Sequence, residues 1–420
     1  MTWKTIKWAT LALAVALVIV LAGVVGHTLG QGEGGQVTIT QPAPSRPTGQ
    51  DFGVLEEIYR ILREDFVNPA MVDPERLRAG AINGLLQALG DPHTVYIDPQ
   101  SYSLGIDIIS GTFQGIGAQV EQDPVTRQIV IVTPFRNSPA EKAGIRAGDV
   151  LRAVDGESTE GWSVVQAVQR IRGPEGSEVT LTIRHRDGAE EDITIVRATI
   201  VVPTVFTNVG DRPDLELNDA EGRPVSDIAY IEIQQITEQT VRDLAGVLRR
   251  AEDDGYKALI LDVRRNPGGG LDATIRLADM FLDEGLILTQ VDREGRETAY
   301  EARSGGEALS IPLAVLMGQG SASGAEVLAG ALRDHQRAKL IGETTFGKGS
   351  VNQLRPLSDG GALYVTTARW LTPNGDQIEG VGLAPDIEVK LTEDDLALQR
   401  DSQLFAAIDY LRQNFLRSGP

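Results

Sequence analysis

From about residue 199 onward, short apolar runs alternate with amphipathic stretches. DIAYIEI (227–233), KALILDV (257–263) and PLAVLM (312–317) read as buried strands. Thr237 to about Asp253, Leu271 to Phe281 and Ser323 to Arg333 carry helical periodicity. Strand, helix and strand in this order require crossover connections, so the segment is expected to form an α/β core around a partly parallel sheet. In such cores, sites assemble in the loops at the carboxyl ends of the strands.

The remainder divides by texture. Residues 1–30 open with Lys4 and Lys7 and then run apolar from Trp8 to about Gly26, long enough to span a bilayer as a helix. The lysines mark the cytoplasmic side, which puts the rest of the chain outside the cytoplasm. No small-x-small cleavage site follows the run, which favours a retained single-pass membrane anchor over a cleaved signal segment. Residues 31–50 are rich in Gly, Pro, Gln and Ser and read as a flexible linker. Residues 51–110 hold two expected helices. The first covers about Phe52–Phe66, with Leu55, Ile58, Tyr59 and Leu62 on one face. The second has Asp73 as N-cap and Pro74 at its first position, and ends at Gly90. Residues 111–198 show short strands (IVIVT, DVLRAVD, EVTLTIRH, EDITIVRA) and one helix, SVVQAVQRI, the texture of a small module. Residues 199–420 contain the α/β core and close with an amphipathic helix, DDLALQRDSQLFAAIDYL.

Composition removes several classes of function. A net charge of −20 argues against nucleic acid as a partner, because phosphate binding needs clustered Lys and Arg. The absence of cysteine excludes disulfides, a thiol nucleophile and Cys-based zinc sites. The four histidines, His27, His93, His185 and His335, show no metal-ligand spacing, so neither metal nor cofactor is expected.

Three core segments carry unusual chemistry. In LDVRRNPGGGLD (261–272) a strand ends in Arg-Asn-Pro and three glycines before a helix. Such glycines let backbone N–H groups face a cleft, as an oxyanion hole or anion site requires. In GQGSASGAEVLAG (318–330) a small-residue turn joins a strand to an Ala-rich helix, so a serine there lies near a helix N-terminus that favours an oxyanion. Ser321 or Ser323 could equally be a simple N-cap. In IGETTFGKGSVNQL (341–354), Lys348 stands between two glycines in an apolar stretch, where desolvation would lower its pKa and free it to act as a base. A solvated surface lysine is the alternative. Gly342-x4-Gly347-Lys348 approaches a Walker A motif, but Gly349 follows where Ser or Thr is needed, and strand-like sequence follows where a helix is needed. His335 is a rival base. It lies about three helical turns beyond Ser323, roughly 18 Å away, too far for a hydrogen bond.

GTFQGIGAQV and SPAEKAGIRAGDVLRAVDG resemble a PDZ domain. In that family a peptide C-terminus adds as a strand to the sheet edge and its carboxylate meets a Gly-containing loop. The matching loop is Gly115-Ile116-Gly117-Ala118. These glycines also suit turns that need positive φ. Together the PDZ segment, RRNPGGGL, GSASGAE and GETTFGKGS resemble the C-terminal processing (tail-specific) serine proteases over about residues 51–395. The resemblance implies a multidomain protein with a crotonase-like α/β protease core, a PDZ domain and an N-terminal helical segment. It also implies an endopeptidase acting near the C-termini of protein substrates, and self-association as an accompanying property. The family's lysine follows its catalytic serine by 25 residues, which selects Ser323 as nucleophile and Lys348 as general base. By the same resemblance the amide of Gly324 and one in the Gly268-Gly269 turn form the oxyanion hole.

This sequence departs from the family at two places. Gly324 and Ala325 stand where the family's S-A-S-A-S-E has Ala and Ser, and Asn352 stands where a lysine-orienting Gln is usual, with Gln353 beside it. Strand alternation favours Asn352 over Gln353 for that role. The departures support a second reading, a catalytically silent, membrane-tethered PDZ scaffold that binds protein tails. A small-ligand binder on the same core would need a closed apolar pocket in place of the Ser-Lys cleft.

Overall fold

The computed structural model describes residues 52–99, 101–102, 112–135, 137–210, 213–398 and 400–416. The expected anchor (1–30) and linker (31–50) lie outside the described residues. Among the described residues, no helix is long and apolar enough to cross a membrane. The chain forms two units, Met1–Asp98 with Gln353–Thr366, and Pro99–Asn352 with Thr367–Pro420.

In the first unit, helix Gly53–Asp65 is followed by helix Pro74–Leu89. The second starts and stops where its sequence signals stand. Asp73 accepts the Arg76 N–H at 2.8 Å, Pro74 takes the first helical position, and Gly90 closes the helix at φ 73°. Neither helix buries a residue, and Leu55, Ile58, Leu85 and Leu89 remain exposed. Strand Val95–Ile97 pairs antiparallel with residues 362–364. That partner is more than 260 residues away in the chain, and no local pattern announces the pairing.

Within the second unit, residues 118–122, 129–134, 150–154, 178–184 and 190–196 form an antiparallel sheet in the order of the chain. Helix Val164–Ile171 opens with a Ser163/Gln166 capping box. Ile129, Ile131, Leu151, Leu181, Ile183 and Ala167 fill the core of this PDZ-like module.

The α/β core follows. Its strands are β1 (Val205–Thr207), β2 (Ile228–Ile233), β3 (Ala258–Asp262), β4 (Leu313–Met317), β5 (Lys339–Gly342) and β6 (Ile387–Glu388). They lie side by side in that order; only the β1–β2 pair is antiparallel. β2, β3 and β4 are buried throughout, which explains their unbroken apolar text. Three helices occupy the expected places: α1 (Glu238–Asp253, capped by Thr237), α2 (Leu271–Asp279) and α3 (Gly324–Asp334). Parallel register brings Glu232, Asp262 and Leu316 level, with Met317 beside Gly342. The four loops that leave these strand ends therefore emerge together. They contain Ile236, the glycine turn, the serine turn and the lysine segment.

Two features differ from expectation. A second sheet joins strands Leu286–Asp292 and Glu297–Glu301 to the long strand Ala362–Leu371. The closing helix is also two helices, Glu393–Leu398 and α4 (Ser402–Leu411). The break falls where Asp401 turns its carboxylate onto the Leu404 N–H at 2.9 Å and caps a new helix. α4 lays Ala407, Ile408 and Leu411 against Ile228, Ile260, Leu316 and Ile341.

Candidate active site

The serine turn rests on the segment that follows β3. Ser321 is fully buried; its Oγ donates to the Val263 carbonyl at 2.7 Å and accepts the Gly318 N–H. It is a brace between two loops. Ala322 N–H donates to the Asn266 carbonyl at 3.0 Å. Ser323 is half-buried and caps α3 with φ 52° and ψ −117°. A non-glycine residue held at positive φ costs roughly 1–3 kcal/mol and is retained where the surroundings over-determine it. Here the restraint is Glu326, whose Oε2 accepts the Ser323 N–H at 2.8 Å.

Glu326 also fixes the lysine segment. The same Oε2 accepts the Lys348 N–H at 2.9 Å, while Oε1 accepts Gly347 N–H at 2.7 Å and Thr345 Oγ–H at 2.5 Å. The backbone nitrogens of Ser323 and Lys348 are thus no farther apart than two hydrogen bonds laid end to end. This carboxylate has no solvent exposure. Burial pushes it above the usual carboxyl range, and the four donors oppose that rise. Trp370 holds the segment from its other side, with Nε1 donating to the Lys348 carbonyl at 3.2 Å and its amide to the Gly349 carbonyl at 3.0 Å. Glu326 was within the quoted GSASGAE motif, yet nothing in its sequence neighbours announces four donors, three of them 19 to 22 residues away.

The glycine turn meets the serine turn at van der Waals limits. A Cβ on Gly268 would lie 2.7 Å from Gly324 N and 2.9 Å from Ser323 Cβ, and one on Gly269 would lie 1.8 Å from the Ile236 carbonyl. Gly268 adopts φ 97° and donates its N–H to Asn266 Oδ1 at 2.8 Å. Of the two expected amides, Gly268's is therefore already committed to the protein. Those of Gly269 and Gly324 have no acceptor among the described residues. They are near neighbours, since a Cβ on Gly324 would lie 3.4 Å from Gly269 N. That same Cβ would strike Thr274 Oγ1 at 2.4 Å, which gives this position a local reason to be glycine. A depression of about 230 Å³ adjoins this turn, lined by Ile236, Thr237, Glu238, Leu271, Asp272 and Ala273.

Asn352 and Ser350 share one face of strand Ser350–Pro356, with Ser350 Oγ donating to Asn352 Oδ1 at 3.2 Å. Gln353 is exposed on the other face and accepts from Arg355. His335 caps the far end of α3 and its Nε2 lies 2.7 Å from the Leu286 carbonyl, so it belongs to packing at the opposite end of that helix. Among the described residues no acidic, His or Cys cluster could hold a metal ion.

In the PDZ-like module, Gly115, Ile116 and Gly117 are buried and Ala118 begins the edge strand. A Cβ on Gly117 would lie 2.5 Å from Ser138 Cβ, and its φ is 78°, so this glycine serves the turn. Gly115 sits under the Phe113 ring, with Arg172 Cγ 3.7 Å from its Cβ position. The Arg172 guanidinium stacks 4.6 Å from the centre of that ring.

Residues 227–389 match peptidase family S41, residues 130–185 match the PDZ domain, and residues 30–101 match the N-terminal domain of the activating protease CtpB. The carboxy-terminal processing protease CtpA of Bacillus subtilis is 35% identical over 351 residues, 83% of this chain and 71% of its own length. A probable CtpA-like serine protease of Staphylococcus aureus (strain COL) is 35% identical over 339 residues, 80% of this chain but 64% of its own length. Among solved structures, the photosystem II D1 C-terminal processing protease aligns with 27% identity and a TM-score of 0.47 over 83% of this chain and 96% of that chain.

Proposed function

The chain belongs to peptidase family S41, and from that premise we propose that it is an endopeptidase which cuts protein substrates near their C-termini with a Ser323–Lys348 dyad. The observation that carries the dyad is the shared grip of Glu326 Oε2 on the amides of Ser323 and Lys348. Neutral Lys348 takes the proton from Ser323 Oγ as that oxygen attacks the scissile carbonyl. The oxyanion accepts from the uncommitted amides of Gly269 and Gly324. Gly268 allows the two turns to close and contributes space in place of a hydrogen bond. The lysine then returns its proton to the leaving amine, and water clears the acyl-enzyme. Asn352, which shares a strand face with Ser350, orients the base. The depression beside Leu271 receives a substrate side chain next to the scissile bond.

The PDZ module captures the substrate's tail by strand addition along residues 118–122. Arg172, stacked beside Gly115, supplies positive charge for the terminal carboxylate. We place the protein at the membrane by its N-terminal run, with the catalytic part outside the cytoplasm.

The test is cleavage of peptides with free C-terminal tails by the full chain, its Ser323→Ala form and its Lys348→Ala form. Each substitution is expected to lower kcat by about three to four orders of magnitude. Unchanged cleavage by Ser323→Ala would remove the dyad. Binding of tails by a wild-type chain that never cleaves them would point to the scaffold.

A further inference from the structure

The segment beneath both catalytic turns is anchored from the far end of the chain. Arg264 is partly buried, with 16% of its side chain exposed, and its guanidinium is surrounded by acceptors. Asp262 meets it at 2.7 Å and is itself held by the Tyr230 hydroxyl at 2.7 Å. Asp401 meets it in fork geometry, Oδ1 accepting from Nη1 and Oδ2 from Nη2, both at 2.8 Å. Gln403 Oε1 accepts from Nη1 at 3.0 Å, while its Nε2 donates to the Val389 carbonyl at 2.8 Å.

The backbone of residues 263–266 is what the serine turn rests on. Val263 receives Ser321 Oγ and Asn266 receives Ala322 N. A Cβ on Gly320 would lie 2.6 Å from the Arg264 carbonyl. The glycine turn leaves the same segment and is fastened to it by Asn266 Oδ1. A change in the seat of Arg264 therefore moves the nucleophile and both free amides relative to one another.

α4 does not need Asp401 in order to dock. Its apolar face already packs beneath the sheet, and its far end is tied by Arg412 to Asp219 at 3.3 Å. The fork at its N-terminus is directed at the strand ends where the chemistry lies. We propose that Asp401, assisted by Gln403, is a positioning residue for the peptidase reaction, setting the serine and glycine turns through Arg264. This rests on the Ser323 reading above.

The experiment compares Asp401→Asn with Arg412→Ala in the full chain. Asn keeps the shape of the cap and leaves Asp262 and Arg264 as a balanced pair. Steady-state kcat and KM on a tailed peptide are measured beside the rate of Ser323 labelling by a fluorophosphonate and the melting midpoint. Asp401→Asn is expected to lower kcat and the labelling rate by about tenfold to a hundredfold, because a misplacement near 1 Å has effects of that size. KM should stay within about twofold, and Arg412→Ala should keep kcat. Asp401→Glu, which retains the charge but not the fork, should fall in the same direction and covers the case in which Asp401→Asn does not fold. Full kcat in both Asp401 variants overturns the proposal. So does a parallel loss in Arg412→Ala that tracks the melting midpoint. If Ser323→Ala is silent and unlabelled while both Asp401 variants are fully active, only this inference fails. If Ser323→Ala still cuts, both fail.

Discussion

At the scale of single residues, Glu326 has the widest reach. One buried carboxylate accepts from the amides of Ser323, Gly347 and Lys348 and from the Thr345 hydroxyl. Only its ionised form accepts from all four, since a proton on either oxygen turns an acceptor into a donor facing an N–H or O–H group. Burial raises its folded pKa above 4.5, so it takes up a proton at higher pH than an ordinary glutamate as acid is added. The acid limb of kcat is accordingly expected above the usual carboxyl range. Glu326→Gln should lower kcat by about tenfold or more and flatten that limb, checked by pH–rate profiles of the two forms. An unchanged limb in the variant would assign it to another group. The motif was legible in the sequence as a serine near a helix start. Its carboxylate was not, because most of its partners come from a loop that only the sheet brings near.

At the scale of elements, starts and stops obeyed local chemistry. Asp73-Pro74 and Gly90 bound one helix, and Thr237 opens another. The closing segment is two helices and not one because the Asp401 carboxylate bonds a backbone N–H three residues on and restarts the helix. The PDZ edge strand and its loop were legible through their glycines. The cation beside them was not, since Arg172 lies 57 residues beyond Gly115. In a Ser323→Ala background, Arg172→Ala is expected to weaken binding of a free-carboxylate tail by about tenfold and to leave the amidated peptide unaffected. Fluorescence anisotropy with both peptides would check this; equal weakening of the two would assign Arg172 to packing on Phe113.

At the scale of the whole molecule, ion pairs join distant segments. Burial would raise Asp262, but the Arg264 guanidinium and the Tyr230 hydroxyl outweigh it and hold the folded pKa below 3.8. Hydrogen bonds from Ser402 and Thr392 push Asp395 down to about 2. A carboxyl with a depressed folded pKa contributes stability that is present above its unfolded value and lost as pH falls through the folded one. Glu326 has the opposite sign: its contribution is present below 4.5 and is lost as pH rises through its raised folded value. With more groups of the first kind, the melting midpoint is expected to fall steeply below about pH 4. Asp262→Asn should make that fall shallower, which calorimetry across pH would show.

Sequence alone determined the alternation of strand and helix, because burial on both faces leaves uninterrupted apolar runs and crossover helices leave a 3.6-residue period. It also marked out the glycine, serine and lysine segments, because runs of small residues at the ends of buried strands stand out from the apolar and amphipathic text around them. Tertiary structure decided which groups in those segments are available. Register across β2 to β5 brought the loops together, Asn266 claimed the Gly268 amide, Thr274 left room for no side chain at residue 324, and Glu326 joined Ser323 to Lys348. These are contacts between residues far apart in the chain, and a local pattern records what a segment tends to form, not which distant atom will occupy its hydrogen bonds.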